Sequence, residues 1–292
     1  MTEEREDVLL IGGTGFIGTE LARTFVGDGR KVISIGRHEK SNHPGRVQVL
    51  DMYDQEAVQK FLPAAQSVFI LTGQNTKNFD PIQELKNLEG IVTVLNDRQP
   101  KKVFYLSSVL VYGETSVPAR EQDACRPIDQ YSQFKLRAEA LFKEKLSKDI
   151  LLGILRVSNV YGNPANRGFI HWLLQAVKEG KEFILNGEGM QERDYIFIDD
   201  VVTALVQIEQ LLKQSDTINV ATGRSYSLND VIREMSAVAG IQVALTVNHE
   251  TISEVQRSLV DVSKLHDEYG IVLAHDLRSG LKQTLKSYSL FV

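Results

Sequence analysis

Tyr131 and Lys135 stand four residues apart in the stretch YSQFK. On a helix that spacing puts both on one face, with the ammonium close to the phenol. A phenol with a pKa near 10 is a poor base at neutral pH, but a nearby cation stabilises phenolate and lowers that value. Spacing alone is weak support, because nine tyrosines give a chance YxxxK match in about half of such chains. The context comes from Ser107 and Ser108, which close the apolar run VFYL. Such a run reads as a buried strand, and open α/β sheets bind ligands at the carboxyl ends of their strands. A hydroxyl there can hydrogen-bond a substrate oxygen while the phenol moves its proton.

A second group of residues has the chemistry of phosphate binding. Gly12 to Gly18 read GGTGFIG, directly after the apolar run Val8 to Ile11 and ahead of an amphipathic stretch that continues through Leu21 and Phe25. A glycine turn lets backbone approach a pyrophosphate, and the N-terminus of the following helix offers N–H groups and partial positive charge. A glycine triplet that closes a first strand and opens a helix is the context a dinucleotide site requires. Gly12, Gly15, Phe16, Ile17 and Gly18 are therefore cofactor-binding candidates, against the plainer reading of a Gly-rich turn.

The second strand, KVISI, ends in Gly36, Arg37 and His38, with no acid where an NAD-specific chain offers a carboxylate to the adenosine ribose. Arg37 is placed to meet a 2′-phosphate, which points to NADP, or it is a solvated loop arginine. In VLDMYD, Asp51 and Met52 follow the third strand. Asp51 either accepts from the adenine amine, the preferred role, or caps the helix that starts near Asp54.

These side chains need a scaffold, and the pattern supplies one. Apolar runs at Val8–Ile11, Lys31–Ile35, Val47–Leu50, Ser67–Leu71, Val103–Leu106 and Ile150–Leu155 alternate with amphipathic stretches from Phe16, across Pro81–Asn96 and from Tyr131. Continuously apolar runs suit strands covered on both faces, so the expected fold is α/β, a doubly wound parallel sheet. After Tyr161 the rhythm loosens. The expected division is residues 1–160 for a dinucleotide-binding domain, with 194–223 returning to it, and 161–193 with 224–292 for a smaller α/β substrate lobe.

Composition narrows the class. The chain has 292 residues, 42% hydrophobic and 24% charged, with net charge −5, which fits a soluble globular protein and argues against a nucleic-acid polymer as partner. Cys125 is the single cysteine and the six histidines stand in no metal-binding spacing, so no internal disulfide and no metal are expected. MTEERED lacks the basic and apolar character of a signal peptide, and no apolar run approaches the ~20 residues of a spanning helix. A cytoplasmic location without membrane attachment is expected.

In order along the chain, GGTGFIG, LDMYD, NLEG (Asn87 to Gly90), YLSSVLVYG (Tyr105 to Gly113), YSQFK, LRVSNVYG (Leu155 to Gly162) and GEGMQERDYIFIDDV (Gly187 to Val201) resemble the extended short-chain dehydrogenase/reductase family. The resemblance covers nearly the whole chain and lies with the branch of nucleotide-sugar epimerases, dehydratases and 4-ketoreductases. It implies a Rossmann-type fold, Tyr131 as acid/base, Lys135 as ribose anchor and tuner of the phenol, and Ser108 as ligand of the substrate oxygen. Ser107 is implied as a neighbour on the cofactor side. Asn159 and Arg193 are implied to contact the substrate diphosphate, with Arg257 a further candidate. The plainer reading of Arg193 is a surface ion pair with Asp194. Asp199 and Asp200 look like a helix cap. Leu71, Thr72 and Gly73 replace the family's usual Leu-Ala-Gly or Leu-Ala-Ala facing the cofactor.

The family's 4,6-dehydratases carry an acid pair where this chain has Val109 and Leu110, so dehydration is not expected. A 4-ketoreductase that consumes NADPH and a 4-epimerase that recycles one NAD use the same Ser108, Tyr131 and Lys135. Arg37 and the short C-terminal lobe favour the ketoreductase on a nucleotide-diphosphate sugar. A non-catalytic dinucleotide sensor or scaffold is the alternative outside enzymes. The resemblance also implies a homodimer built on the helices Pro81–Asn96 and Tyr131–Leu146.

Overall fold

The computed structural model describes residues 6–73, 79–249 and 255–290. Its elements follow the sequence rhythm: β1 (Glu6–Ile11), α1 (Phe16–Gly27), β2 (Val32–Gly36), β3 (Arg46–Val49), α2 (Gln55–Phe61), β4 (Ala65–Ile70), α3 (Pro81–Arg98), β5 (Lys102–Ser108), α4 (Gln130–Lys145) and β6 (Leu151–Val157). Then come β7 (Asn159–Tyr161), α5 (Phe169–Lys178), β8 (Phe183–Asn186), β9 (Glu192–Phe197), α6 (Ile198–Leu211) and β10 (Asp216–Val220). The chain closes with β11 (Ser225–Ser227), α7 (Leu228–Ala239), β12 (Leu245–Asn248) and α8 (Leu277–Ser287).

Seven strands form one sheet in the order β10-β6-β5-β4-β1-β2-β3. The pairs β1–β2, β1–β4, β2–β3 and β4–β5 are parallel, with Leu9 opposite both Ile33 and Val68. This is the doubly wound arrangement expected from the sequence. Strand order reverses between β1 and β4, so the crevice beyond their carboxyl ends is where such a sheet takes a ligand.

Both faces of the sheet are dry. On one, Leu88, Ile91, Val92 and Leu95 of α3 and Phe134, Ala138 and Phe142 of α4 pack over Ile33, Ile70 and Tyr105. On the other, the Phe69 ring stacks on Phe104 at 4.6 Å and meets the tilted ring of Phe25 at 5.7 Å. Strands covered on both sides must be apolar throughout, and Val8 to Ile11 are each fully buried.

The chain divides into two compact units. The first is Met1–Val111, Asp129–Arg156 and Leu205–Ile218; the second is Tyr112–Ile128, Val157–Ala204 and Asn219–Val292. These boundaries differ from the expected ones in giving 112–128, 157–160, 194–204 and 219–223 to the second unit. Backbone bonding accounts for this. Thr115 and Ala119 donate to the carbonyls of Arg257 and Leu259, and Ser158 donates to that of Val220. The second unit holds a three-stranded sheet, β11-β9-β7, and the pair β12–β8. Among the described residues no helix is long and apolar enough to cross a membrane, and no cluster of His, Cys, Asp and Glu could hold a metal ion.

Candidate active site

In the first unit a cleft of about 550 Å³ opens beyond β1, β2 and β4, lined by Gly12, Thr14, Gly15, Arg37, Met52, Leu71, Thr72 and Gly73 among others. The glycine turn forms part of its wall. A Cβ on Gly18 would lie 2.6 Å from the Cα and carbonyl oxygen of Gly13, so only glycine lets the first turn of α1 press against the loop. Gly15 caps α1 with no side-chain hydrogen bond. The N–H groups of Phe16, Ile17 and Gly18 are thus left without intrahelical acceptors, as the first turn of a helix always leaves them. A glycine-walled cleft ending at such a turn fits a dinucleotide pyrophosphate.

Arg37, exposed, stands in the same wall directly after Gly36. Met52 lines the cleft but Asp51 does not; its Oδ1 accepts the Tyr53 amide at 3.0 Å. The cap of α2 is Asp54, whose side chain accepts from Ala57, so the capping alternative for Asp51 falls away.

Local signals place the phenol and ammonium. Asp129 caps α4 and forms a reciprocal capping box with Ser132, which starts the helix one residue before Tyr131 and leaves Lys135 a turn further in. Lys135 is buried and donates to the carbonyls of Thr72 at 3.1 Å and Leu106 at 2.7 Å. Its Nζ lies 5.7 Å from the centre of the Tyr131 ring. Burial pushes the Lys135 ammonium down to about 7, against the attraction of Glu84 and Glu139. Burial and then Asp129 push the Tyr131 phenol up to about 12.

The lowered phenol expected from the sequence needs a cationic nicotinamide beside the ammonium; the protein by itself shifts Tyr131 upward. Two of the three Lys135 donors go to backbone carbonyls, and desolvation of phenolate outweighs the charge of the ammonium. The protein alone therefore presents a neutral phenol at pH 7.

Ser108 Oγ accepts the Leu110 amide at 3.2 Å. Ser107 turns the other way and donates to Glu139 at 2.5 Å. Glu139 in turn forms a buried two-point pair with Arg156 at 3.0 and 2.7 Å. Ser107 is thus held in a structural network that no spacing along the chain signals.

The remaining predicted residues lie in the second unit. Asn159 donates to the Asp194 carbonyl at 3.1 Å, and Arg193, buried, donates to the Glu192 carbonyl at 2.9 Å. The Asp194 carboxylate is buried and takes the hydroxyls of Ser158 and Thr222 and the amides of Thr222 and Arg224. It is a junction of this unit, and both Asp194 and Arg193 are buried rather than on the surface. Arg257 is exposed and makes a two-point pair with Glu192 at 3.1 and 3.0 Å. Asp199 and Asp200 lie inside the first turn of α6. Instead of capping it, Asp200 binds the amides of Ala274 and His275 and the ring of His275.

Thr14, Tyr53, Phe79, Glu84 and Asn87 also line the cleft. Thr14, Tyr53 and Asn87 sit in the GGTGFIG, LDMYD and NLEG motifs; Phe79 and Glu84 carry no spacing signal, because the segments that bring them to the cleft are distant in sequence.

Residues 8–221 match the model of the NAD dependent epimerase/dehydratase family. Over 239 residues the chain is 23% identical to an N-acetyl-alpha-D-glucosaminyl-diphospho-ditrans,octacis-undecaprenol 4-epimerase of Escherichia coli O157:H7, covering 79% of this chain and 71% of that protein. It is 25% identical over 324 aligned positions to a dTDP-4-dehydro-6-deoxyglucose reductase of Escherichia coli, covering 98% and 99%. Among solved structures, MoeE5 in complex with UDP-glucuronic acid and NAD matches with a TM-score of 0.87 at 25% identity, covering 97% of this chain and 99% of that one.

Proposed function

Because the chain belongs to the NAD dependent epimerase/dehydratase family, we propose that it is a nucleotide-sugar oxidoreductase, and specifically an NADPH-dependent 4-ketoreductase. The observation that carries the cofactor choice is Arg37 in the cleft wall, after a second strand that ends without an acid. A guanidinium there favours the dianionic 2′-phosphate of NADP. Gly12, Gly15, Leu71, Thr72 and Gly73 hold the dinucleotide, with the N–H groups of Phe16 to Gly18 on its pyrophosphate and Met52 at the adenine. Bound there, the dinucleotide supplies the hydride.

Tyr131 gives its phenolic proton to the C4 carbonyl oxygen of the sugar. A phenol held neutral at pH 7 suits the reductive direction, in which it must start as an acid. Ser108 Oγ donates to the same oxygen, and the Lys135 ammonium serves the cofactor ribose and stabilises the phenolate left behind. Asn159 and Arg193 hold the substrate diphosphate, with Arg257 at its edge. Dinucleotide binding and the groups that act on the carbonyl belong to the first unit, and the residues proposed for the diphosphate to the second.

The second reading, a 4-epimerase that recycles one NAD, is supported by the epimerase relative and by the NAD of MoeE5. Denaturing freshly purified protein and identifying the released dinucleotide by mass spectrometry separates the two. NADP, or a cleft that takes up NADPH only when it is added, is the expected result; near-stoichiometric NAD would overturn the ketoreductase. Arg37→Ala should then weaken NADPH binding about tenfold or more and NADH binding little, and equal weakening would remove the phosphate contact.

We further propose a homodimer through α3 and α4. The outward positions of these helices include Lys86, Glu89, Thr93 and Asp97 on α3 and Gln133, Arg137, Ala140 and Glu144 on α4, all exposed. An interface with this many charged groups is screened by salt. Sedimentation should give a dimer at low ionic strength that dissociates in molar salt, and a monomer at micromolar concentration in low salt would refute the pairing.

A further inference from the structure

Glu84 takes no part in the chemistry above, yet it stands in the wall of the dinucleotide cleft. It lies in the first turn of α3, just after Pro81, where the helix terminus favours a carboxylate. Its Oε1 accepts from the hydroxyl of Tyr53, which comes from the turn between β3 and α2. That bond ties together two lining residues of the cleft from different elements.

The cleft is also lined by Thr72 and Gly73. Gly73 has φ 90°, and a Cβ there would lie 3.3 Å from Lys135 Nζ. The same ammonium donates to the Thr72 carbonyl. Glu84 and this turn line the same cleft, Lys135 reaches the turn from α4, and the Glu84 carboxylate attracts the ammonium.

Few groups face this ammonium. From β5 comes the ring of Tyr105, centred 4.9 Å away, with a buried hydroxyl that has no hydrogen-bond partner among the described residues. From α4 come the rings of Tyr131 and Phe134, at 5.7 and 5.9 Å, and the carboxylate of Glu139. Glu139 is committed to Arg156 and Ser107. Glu84 is therefore the one carboxylate near Lys135, among the described residues, whose charge is not already balanced by a buried cation.

We propose that Glu84 is a positioning residue: its carboxylate, anchored by Tyr53, keeps the buried Lys135 charged and so able to serve the cofactor ribose and the phenol. The ribose contact rests on the dinucleotide reading given above; the charge relation between Glu84 and Lys135 does not. A buried ammonium that loses an attracting charge gives up its proton more readily. A neutral amine can still hydrogen-bond, but it no longer stabilises a phenolate.

The test is the titration of Lys135 in the full chain without dinucleotide, followed by NMR of protein labelled with 13C at lysine Cε. The Lys135 signal is assigned by its loss in Lys135→Met. Glu84→Gln should move its midpoint to lower pH by about half a unit or more, and Tyr53→Phe, which frees the carboxylate but keeps it, should move it less in the same direction. A midpoint that stays in place or rises overturns the proposal. If Glu84→Gln does not fold, the Tyr53→Phe titration decides by the same criterion.

Calorimetry with NADPH supplies the second readout. Glu84→Gln should weaken binding several-fold at pH 8.5 and little at pH 6, where Lys135 is charged regardless. Equal weakening at both pH values would mean a role other than holding charge. Failure of the unmodified protein to bind any dinucleotide would strike the cofactor reading and leave the lysine titration standing.

Discussion

Replacing Tyr131 by phenylalanine is expected to lower kcat roughly a thousandfold, within the range by which positioned acids and bases contribute to rate, while leaving dinucleotide affinity within about twofold. The substitution removes one hydroxyl and keeps the ring, which meets Phe79 edge-on at 6.2 Å. The helix start is set by Asp129 and Ser132, so α4 keeps its position. Lys135 is held by the carbonyls of Thr72 and Leu106 and does not depend on the phenol. Steady-state rates on 4-keto nucleotide sugars and calorimetry with NADPH check both halves. Turnover that survives the substitution would remove Tyr131 as the proton donor, and a parallel loss of dinucleotide binding would give it a binding role instead.

The second large effect concerns Arg156. Its side chain and that of Glu139 are 4% and 2% exposed, and Ser107 completes the network. Breaking a buried ion pair by removing one partner costs about 3–5 kcal/mol, whereas replacing both with apolar groups is often nearly neutral. Arg156→Met should therefore lower stability to urea by that amount, and Arg156→Met combined with Glu139→Met should recover more than half of it. A single substitution that costs less than about 1 kcal/mol, the range of exposed pairs, would show that the network carries little. Glu139 stands one turn after Lys135 and two after Tyr131 on α4, so the pair fixes that helix against β5 and β6. Activity should fall in the double variant even where stability returns.

The contrast between these two sites explains what can be read from the chain. Tyr131 and Lys135 share one helix, and the glycine turn shares one strand-helix junction; in both cases local geometry turns spacing into position. The alternating apolar runs reveal the sheet for the same reason, since strands buried on both faces must be apolar throughout. Glu139 and Arg156 belong to different elements, and Tyr53 and Glu84 meet from turns 31 residues apart; no local pattern encodes either meeting. The direction of the Tyr131 shift escapes a reading of the spacing because it depends on how far the helix face is desolvated. Asp200 reads as a cap because acids at helix starts usually are caps; its true partners, Ala274 and His275, lie 74 and 75 residues further on.

The order in which strands join the sheet has a consequence for synthesis on the ribosome. Six of the seven strands are complete by Val157, but β10, which flanks β6 at the end of the row, begins only at Asp216. Between those points the growing chain makes β7, α5, β8, β9 and α6 while the outer backbone edge of β6 stays open. An open strand edge is a template for unwanted pairing. Nascent chains stalled between residues 160 and 215 should therefore be the ones most readily captured by chaperones or lost to aggregation, and release from that state should coincide with the emergence of β10.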